Sequence, residues 1–153
     1  MREMIQSYRN IILADDDSDD RDLFVEAVNF FDPTINVITR RDGEQLMEFL
    51  GNDRASFDLI FLDLNMPRKN GKECLTEIRA NRKLSNTPVI IYTTSLNPVD
   101  IEETYGLGAN FFLRKPNSFE ELKETLAIVL GGKLGTMKKT RDTFVVGKKL
   151  AMV

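Results

Sequence analysis

Residues 57–67 read FDLIFLDLNMP, and this stretch constrains the fold more than any other part of the chain. Its apolar portion is too short for an ordinary helix and is rich in Ile and Phe, so it is typical of a buried strand. The run ends at the carboxylate of Asp63, Pro67 stops its continuation, and Asn70-Gly71 predicts a turn. A strand that ends this way places Asp63 at the carboxyl edge of a parallel sheet, where α/β folds bind ligands.

The rest of the chain alternates short apolar runs with amphipathic segments. Strands are predicted at residues 11–14, 35–39, 57–63, 88–92 and 109–114, and a helix is predicted after each of them. Ser18 is the predicted cap of the first helix, whose apolar face is predicted to comprise Leu23, Phe24, Ala27, Val28 and Phe31. Five strand–helix units predict the α/β class, with a doubly wound five-stranded parallel sheet and helices on both faces.

The predicted domain covers residues 1–131, and residues 132–153 form a basic C-terminal tail. From Gly132 onward the chain has six Lys or Arg and one Asp, a net charge of +5, which leaves −8 for the preceding residues. The acidic body makes nucleic acid an improbable partner. Phe144-Val145-Val146 is predicted to be loosely ordered. The alternative is that the basic tail docks on the acidic body of a second copy, which would give a homodimer.

Composition narrows the possible chemistry. The 153 residues include no histidine and one cysteine, Cys74, which excludes Ser-His catalysis, His-ligated zinc and an intrachain disulfide. No apolar run approaches the roughly 20 residues of a membrane helix, and the N-terminus does not match a signal peptide. The expectation is a cytoplasmic protein with no membrane partner, whose chemistry uses carboxylates, hydroxyls and lysines.

Polar residues close or directly follow four of the predicted strands. Asp15 and Asp16 follow the first, Asp63 ends the third, Thr93 follows the fourth and Lys115 follows the fifth. In a doubly wound sheet these strand ends share one edge. Clustered carboxylates repel one another, and a hard divalent cation such as Mg²⁺ relieves that repulsion. Together these residue types predict a phosphoryl site in which Asp63 is the nucleophile.

Each residue taken alone also has a structural interpretation. Acids are common at helix starts, so Asp15 and Asp16 are also explained as a capping turn. Asp63 is also explained as a turn residue, Thr93 as a strand residue and Lys115 as an exposed strand end. Their joint placement at one edge of the sheet favours the functional interpretation.

Four segments resemble the receiver domain of two-component response regulators: IILADDD (11–17), DLIFLDLNMPRKNG (58–71), PVIIYTTS (88–95) and FFLRKPN (111–117). The resemblance extends from Asn10 to Leu130. Within the family, the chain is similar to stand-alone, chemotaxis-regulator-like receivers of the phytochrome-associated single-domain type. It implies a flavodoxin-like sheet of strand order 2-1-3-4-5.

The resemblance also implies roles for individual residues. Asp63 would accept a phosphoryl group from a sensor histidine kinase or a phosphotransfer protein, and Thr93 and Lys115 would hold the phosphoryl oxygens. Mg²⁺ would be bound by Asp16, Asp63 and the backbone carbonyl of Asn65, with Asp15 acting through water. The protein would be a signalling domain rather than an enzyme, catalysing only its own phosphorylation and dephosphorylation.

The implied switch involves Thr93 and Phe112. Thr93 would move toward phosphorylated Asp63 and Phe112 would turn inward, which changes a face made by the fourth helix, fifth strand and fifth helix. A downstream protein would read that face. Phe112 lacks the hydroxyl of the tyrosine that many members carry, so it would act through packing alone.

Two alternatives remain at this stage. A haloacid-dehalogenase-like phosphatase would also use an Asp nucleophile with Thr, Lys and Mg²⁺, but that family resembles Asp-X-Asp, whereas this chain has Asp63-Leu64-Asn65. The other alternative is a receiver-shaped docking protein that needs no phosphate.

Overall fold

The computed structural model describes residues 8–132 and 139–146. The elements, in chain order, are β1 (Asn10–Ala14), α1 (Ser18–Phe31), β2 (Asn36–Arg40), α2 (Gly43–Leu50), β3 (Leu59–Leu62), α3 (Gly71–Ala80), β4 (Val89–Thr93), α4 (Pro98–Leu107), β5 (Phe111–Arg114), α5 (Phe119–Leu130), α6 (Arg141–Phe144) and β6 (Val145–Val146). The predicted alternation of five strands and five helices is confirmed, and a short helix and strand follow it.

The sheet has the order β2-β1-β3-β4-β5-β6, and all neighbouring strands pair in parallel. The predicted flavodoxin-like order 2-1-3-4-5 is thus confirmed, with β6 added beside β5. The central strands β1, β3 and β4 are almost wholly buried, as expected for strands that are covered on both faces.

Two apolar clusters cover the two faces of the sheet. One contains buried residues of α1 and α5, including Phe24, Val28 and Leu126. The other contains buried residues of α2 and α3, including Leu46 and Leu75, and partly buried residues of α4. Helices therefore lie on both faces, and every strand-end loop that bears a predicted site residue is anchored by a buried strand.

The first helix differs from its prediction in two respects. Phe24, Ala27 and Val28 are buried, but Leu23 and Phe31 are exposed, because the stripe of α1 that packs on the sheet is narrower than the apolar pattern. Asp17, rather than Ser18, caps the helix and accepts a hydrogen bond from the Asp20 amide at 3.0 Å. Of the three acids in this turn, Asp15, Asp16 and Asp17, the last caps the helix.

Part of the C-terminal tail is ordered, which contradicts the prediction of a loose Phe144-Val145-Val146. Phe144 is buried, and Val145 and Val146 pair with Phe112 and Leu113 of β5. The apolar residues of the tail cover apolar surface at the end of the sheet, and the gain from burial outweighs the cost of ordering them. The boundary at residue 132 remains a prediction.

Within residues 8–132 and 139–146, no helix has both the length and the apolar character needed to cross a membrane.

Candidate functional site

The parallel pairing of β1 with β3 brings Asp15 and Asp63 to one edge of the sheet. Ala14 lies opposite Leu62 in the register, so the next residue of each strand, Asp15 and Asp63, follows at the same level. The Asp63 amide donates to the Ala14 carbonyl at 3.0 Å and continues the ladder by one bond. Sequence-distant acids are therefore neighbours because two buried strands end together.

Asp15, Asp16 and Asp63 form a cluster of carboxylates. One oxygen of each lies within 4.8 Å of the others. Asp15 and Asp63 are buried, whereas Asp16 is exposed and opens the cluster to solvent. Asn65, the fourth predicted metal ligand, lies two residues beyond Asp63 and its side chain is exposed. The cluster thus combines two desolvated acids with one acid that is accessible from water.

Lys115 extends from the end of β5 into the carboxylate cluster. Its Nζ atom lies 2.8 Å from Asp15 Oδ2, 2.9 Å from Asp20 Oδ2 and 3.2 Å from Asp63 Oδ2. The lysine side chain is only 10% exposed. One ammonium thus neutralises part of the charge of three carboxylates in a partly desolvated site, where Coulomb interactions are stronger than in water.

The environment shifts the pKa of two of these groups. Burial raises the pKa of Asp15 to about 6, although hydrogen bonding to Lys115 and to the Asp17 amide opposes that rise. Burial lowers the pKa of Lys115, but its hydrogen bonds with Asp15 and Asp20 and the charge of Asp63 outweigh burial, so the pKa is raised overall. Lys115 is accordingly a fixed cation at neutral pH.

Thr93 ends β4 beside Lys115. The Lys115 amide donates to the Thr93 carbonyl at 2.7 Å, which fixes the backbone of the two strand ends together. The Thr93 side chain is buried, and its Oγ1 accepts a hydrogen bond from the Ser95 amide at 3.4 Å. The hydroxyl is therefore held within the loop between β4 and α4.

Phe112 lies deeper in the sheet than Thr93 and Lys115. It pairs with Ile91 of β4, and its ring is fully buried. The ring centroid lies 6.1 Å from that of Phe144 in the tail. Of the predicted site residues, the structure brings Asp15, Asp16, Asp63 and Lys115 into one cluster, places Thr93 at its border and leaves Phe112 in the core.

Asp20 is a site residue that sequence reasoning did not identify. Its carboxylate binds Lys115 at 2.9 Å, yet its position in the first turn of α1 was explained fully by the helix dipole. The available signal was its position. Asp20 lies in the first turn of α1, which begins directly after the acidic run that follows β1.

The loop after β3 is fixed from both ends. The Leu64 amide donates to Asp63 Oδ1 at 2.8 Å, and the Gly71 amide donates to the Leu64 carbonyl at 2.9 Å. A Cβ atom on Gly71 would lie 2.3 Å from the Asp63 carbonyl, so only glycine allows this approach. Asn70 then begins α3 with a capping box that includes Glu73.

The donor set fits a hard divalent cation. Mg²⁺ prefers oxygen ligands, and one oxygen from each of the three carboxylates lies within 4.8 Å of the others, so one cation could bind several of them. Asp15 Oδ2 is buried, and among the described residues its contact is the ion pair with Lys115 Nζ at 2.8 Å. A cation in the cluster would share that oxygen with Lys115.

The comparisons with known proteins agree with this architecture. Residues 11–127 match the model of the response regulator receiver domain. Response regulator Rcp1 of Synechocystis sp. is 35% identical over 118 residues, which are 73% of this chain and 80% of Rcp1. The solved structure of the phosphorylated cyanobacterial phytochrome response regulator RcpA is 32% identical, with a TM-score of 0.77, and the match covers 86% of this chain and 98% of RcpA.

A second solved structure is that of the Mn²⁺-bound form of Rcp1. It is 31% identical to this chain, with a TM-score of 0.75, and the match covers 86% of this chain and 99% of Rcp1. The family match covers well over half of the chain and includes every strand from β1 to β5. The protein therefore belongs to the response regulator receiver domain family, the signalling domains of two-component systems.

Proposed function

We propose that Asp63 accepts a phosphoryl group from a sensor histidine kinase or a phosphotransfer protein, in a reaction that depends on Mg²⁺. The observation that carries this proposal is the cluster itself, in which three carboxylates meet within 4.8 Å and Lys115 contacts Asp63 at 3.2 Å. This set has a nucleophile, cation ligands and a fixed positive charge for the phosphoryl oxygens. The 153 residues include no histidine, so a phosphohistidine donor must lie outside them.

The proposed Mg²⁺ ligands are the carboxylates of Asp16 and Asp63 and the backbone carbonyl of Asn65, with Asp15 acting through water. Support comes from the exposure of Asp16, which gives the cation a route from solvent, and from the Mn²⁺-bound form of the relative Rcp1. When bound, Mg²⁺ supplies charge neutralisation for the attacking carboxylate and the incoming phosphoryl group.

The protein groups have separate tasks in this proposal. Asp63 attacks the phosphorus through a carboxylate oxygen and forms an acyl phosphate, while the histidine of the donor leaves. Lys115 then shifts its contact from the Asp63 carboxylate to a phosphoryl oxygen, since its ammonium can reorient without losing its charge. The Thr93 hydroxyl donates its proton to a second oxygen, and its Oγ1 can still accept from the Ser95 amide, because a hydroxyl donates and accepts at the same time.

The output would be a change in the face made by α4, β5 and α5. Movement of Thr93 would alter the β4–α4 loop, and a partner protein that binds one form of the face would read its phosphorylation. A homodimer through this face or through the tail remains a prediction, as do a cytoplasmic location and the absence of nucleic-acid and membrane partners. Sedimentation of the chain with and without residues 133–153 tests the dimer.

Intact-mass spectrometry with acetyl phosphate tests the proposed nucleophile. With Mg²⁺, the wild-type protein should gain one phosphoryl group, and Asp63→Asn should gain none. Asp53→Asn is the matched control, because Asp53 is an exposed acid whose contact is an exposed ion pair with Lys83. Equal phosphorylation of the Asp63→Asn variant would exclude Asp63 as the acceptor.

A further inference from the structure

The segment 139–146 covers the open side of β5. Val145 pairs with Phe112 and Val146 with Leu113, so β6 occupies the edge that β5 would otherwise present. Among the described residues, β6 is the strand on the outer side of β5 in the sheet, and α6 directly precedes β6 in the chain. An uncovered edge strand offers unpaired backbone groups to other chains, and this segment satisfies part of that edge.

Phe144 anchors the segment through aromatic contacts. Its ring is 1% exposed and packs at right angles on Tyr105 of α4, with the centroids 5.2 Å apart. On the other side it meets Phe112, with the centroids 6.1 Å apart. Phe112 is thus flanked by β4 and β6 through its backbone pairing, and its ring is in contact with Phe144.

Polar contacts tie the same segment to α4. Arg141 forms an ion pair with Glu102, and its guanidinium lies 4.8 Å from the Tyr105 ring centroid. Lys139 donates to the Tyr105 carbonyl at 3.3 Å and lies 4.5 Å from the ring of the same residue. These contacts all involve α4 or β5, which are two of the three elements of the proposed output face.

We propose that segment 139–146 is a built-in clamp on Phe112 that keeps its ring buried in the unphosphorylated protein. The α4 and β5 part of the output face is then covered by the chain itself. The attachment is short enough to be reversible, because it consists of a two-residue strand, one buried ring and exposed polar ties.

The clamp has a thermodynamic consequence that rests on the proposed function. If phosphorylation favours the conformation with the Phe112 ring inward, a segment that already holds the ring inward raises the population of that conformation before phosphorylation. Removal of the clamp would then weaken binding of a phosphoryl analogue, and binding of the analogue would tighten the segment, because coupling between two sites is reciprocal.

The test uses the full chain labelled with fluorophenylalanine, with the Phe112 resonance assigned through a Phe112→Leu variant. Phe144→Ala removes the clamp, and Phe30→Ala is the matched control, because Phe30 is an exposed ring on α1 whose contact is with Lys123 Nζ, 4.3 Å from the ring centroid. Without ligand, the Phe112 resonance should be one sharp line in the wild type and in Phe30→Ala, and it should shift or broaden in Phe144→Ala. An unchanged resonance in Phe144→Ala would overturn the clamp.

A second measurement adds Mg²⁺ and beryllofluoride, with binding followed by the fluorine signal of the bound ligand. We expect the dissociation constant to rise about fivefold or more in Phe144→Ala and to stay constant in Phe30→Ala. Glu102→Gln, which removes only the ion pair with Arg141, should change it in the same direction by less. Equal constants in the wild type and Phe144→Ala would overturn the coupling.

The two measurements separate the clamp from the proposed function. Failure of beryllofluoride to bind the wild type would contradict the phosphoryl site, while the ligand-free resonance would still decide the clamp. Repetition at two protein concentrations tests whether the segment binds its own chain. A Phe112 resonance that depends on concentration would show exchange of the segment between copies and would overturn the intrachain clamp.

Discussion

The Nζ atom of Lys115 lies 3.2 Å from the Oδ2 atom of Asp63, and the same ammonium contacts the buried Asp15 at 2.8 Å. The lysine therefore occupies the position of a counter-ion in a site that also suits a divalent cation. In the proposed site Mg²⁺ and Lys115 would neutralise the same carboxylates, so the stability of the protein and its response to Mg²⁺ should both depend on this residue.

Lys115→Ala should destabilise the protein without Mg²⁺ and increase its stabilisation by Mg²⁺. Loss of one partner of a buried ion pair costs about 3–5 kcal/mol because the remaining charge is uncompensated. A bound cation would restore the compensation, so the rise in melting temperature with added Mg²⁺ should be larger than in the wild type. Thermal unfolding at pH 8, with and without Mg²⁺, measures both effects.

Lys83→Ala is the control for this prediction. Lys83 is paired with Asp53, but both side chains are largely exposed, and such solvent-screened pairs contribute little to stability. This variant should match the wild type with and without Mg²⁺. A melting temperature of Lys115→Ala that responds to Mg²⁺ no more than the wild type would contradict a shared role for lysine and cation.

Gly71→Ala should disturb the loop that bears Asp63. The added Cβ would lie 2.3 Å from the Asp63 carbonyl and 2.8 Å from Leu64 Cα, so the backbone of the site must shift. We expect a loss of stability of about 1–3 kcal/mol and weaker Mg²⁺ binding. Chemical denaturation and titration with Mg²⁺ measure the two effects.

Gly106→Ala serves as the counterpart, because a Cβ at this position in α4 would meet no atom within 4 Å. Alanine is favoured over glycine within a helix by about 1 kcal/mol, so this variant should be as stable as the wild type or more so. If both glycine variants bind Mg²⁺ as the wild type does, close packing at Gly71 does not position the site.

Arg79→Lys should destabilise the fold although it retains the charge. The Arg79 guanidinium donates to the carbonyl oxygens of Gly108 and Thr87, each at 2.8 Å, and to the Asn110 side chain at 2.9 Å. A lysine ammonium cannot satisfy these diverging acceptors together, so we expect a loss of at least about 2 kcal/mol. Arg82→Lys, an exposed change just beyond α3, should be neutral in the same denaturation measurement.

Cys74 should resist alkylation in the folded protein. Cys74 lies in α3, and its thiol is fully buried. Burial raises the pKa of the thiol to about 12, so the reactive thiolate is scarce at pH 8. Iodoacetamide should modify it at least about a hundredfold more slowly than in guanidinium chloride, as followed by intact mass, because reaction requires the local or global opening that stability opposes. Reaction at equal rates in both solvents would show that the α2–α3 layer opens readily.

Much of the fold was predictable because buried strands leave a strong local signal. Residues 59–62 and residues 89–91 are apolar throughout, as is typical of strands covered on both faces. The helix limits were less predictable. Leu23 and Phe31 match the apolar period of α1, but their exposure depends on how wide a contact the sheet makes, which is a property of packing.

The candidate site was predictable where its residues follow directly from strand ends. Asp15, Asp63, Thr93 and Lys115 each close or follow a strand, and parallel strands end at a common edge. Asp20 was not identified, because an acid in the first turn of a helix has a sufficient local explanation. Its contact with Lys115 joins residues 95 positions apart, and such a contact has no local signal.

The sequence alone determined the strands and the acids at their ends, because each depends on periodicity or on residues next to one another in the chain. The strand order was implied by the resemblance to receiver domains. Tertiary structure alone decided that Lys115 binds three carboxylates and that Phe144 is buried over Phe112. The basic tail shows no clear period in its sequence. Segment 139–146 is ordered because α4 and β5 present an apolar surface on which its few apolar residues are buried.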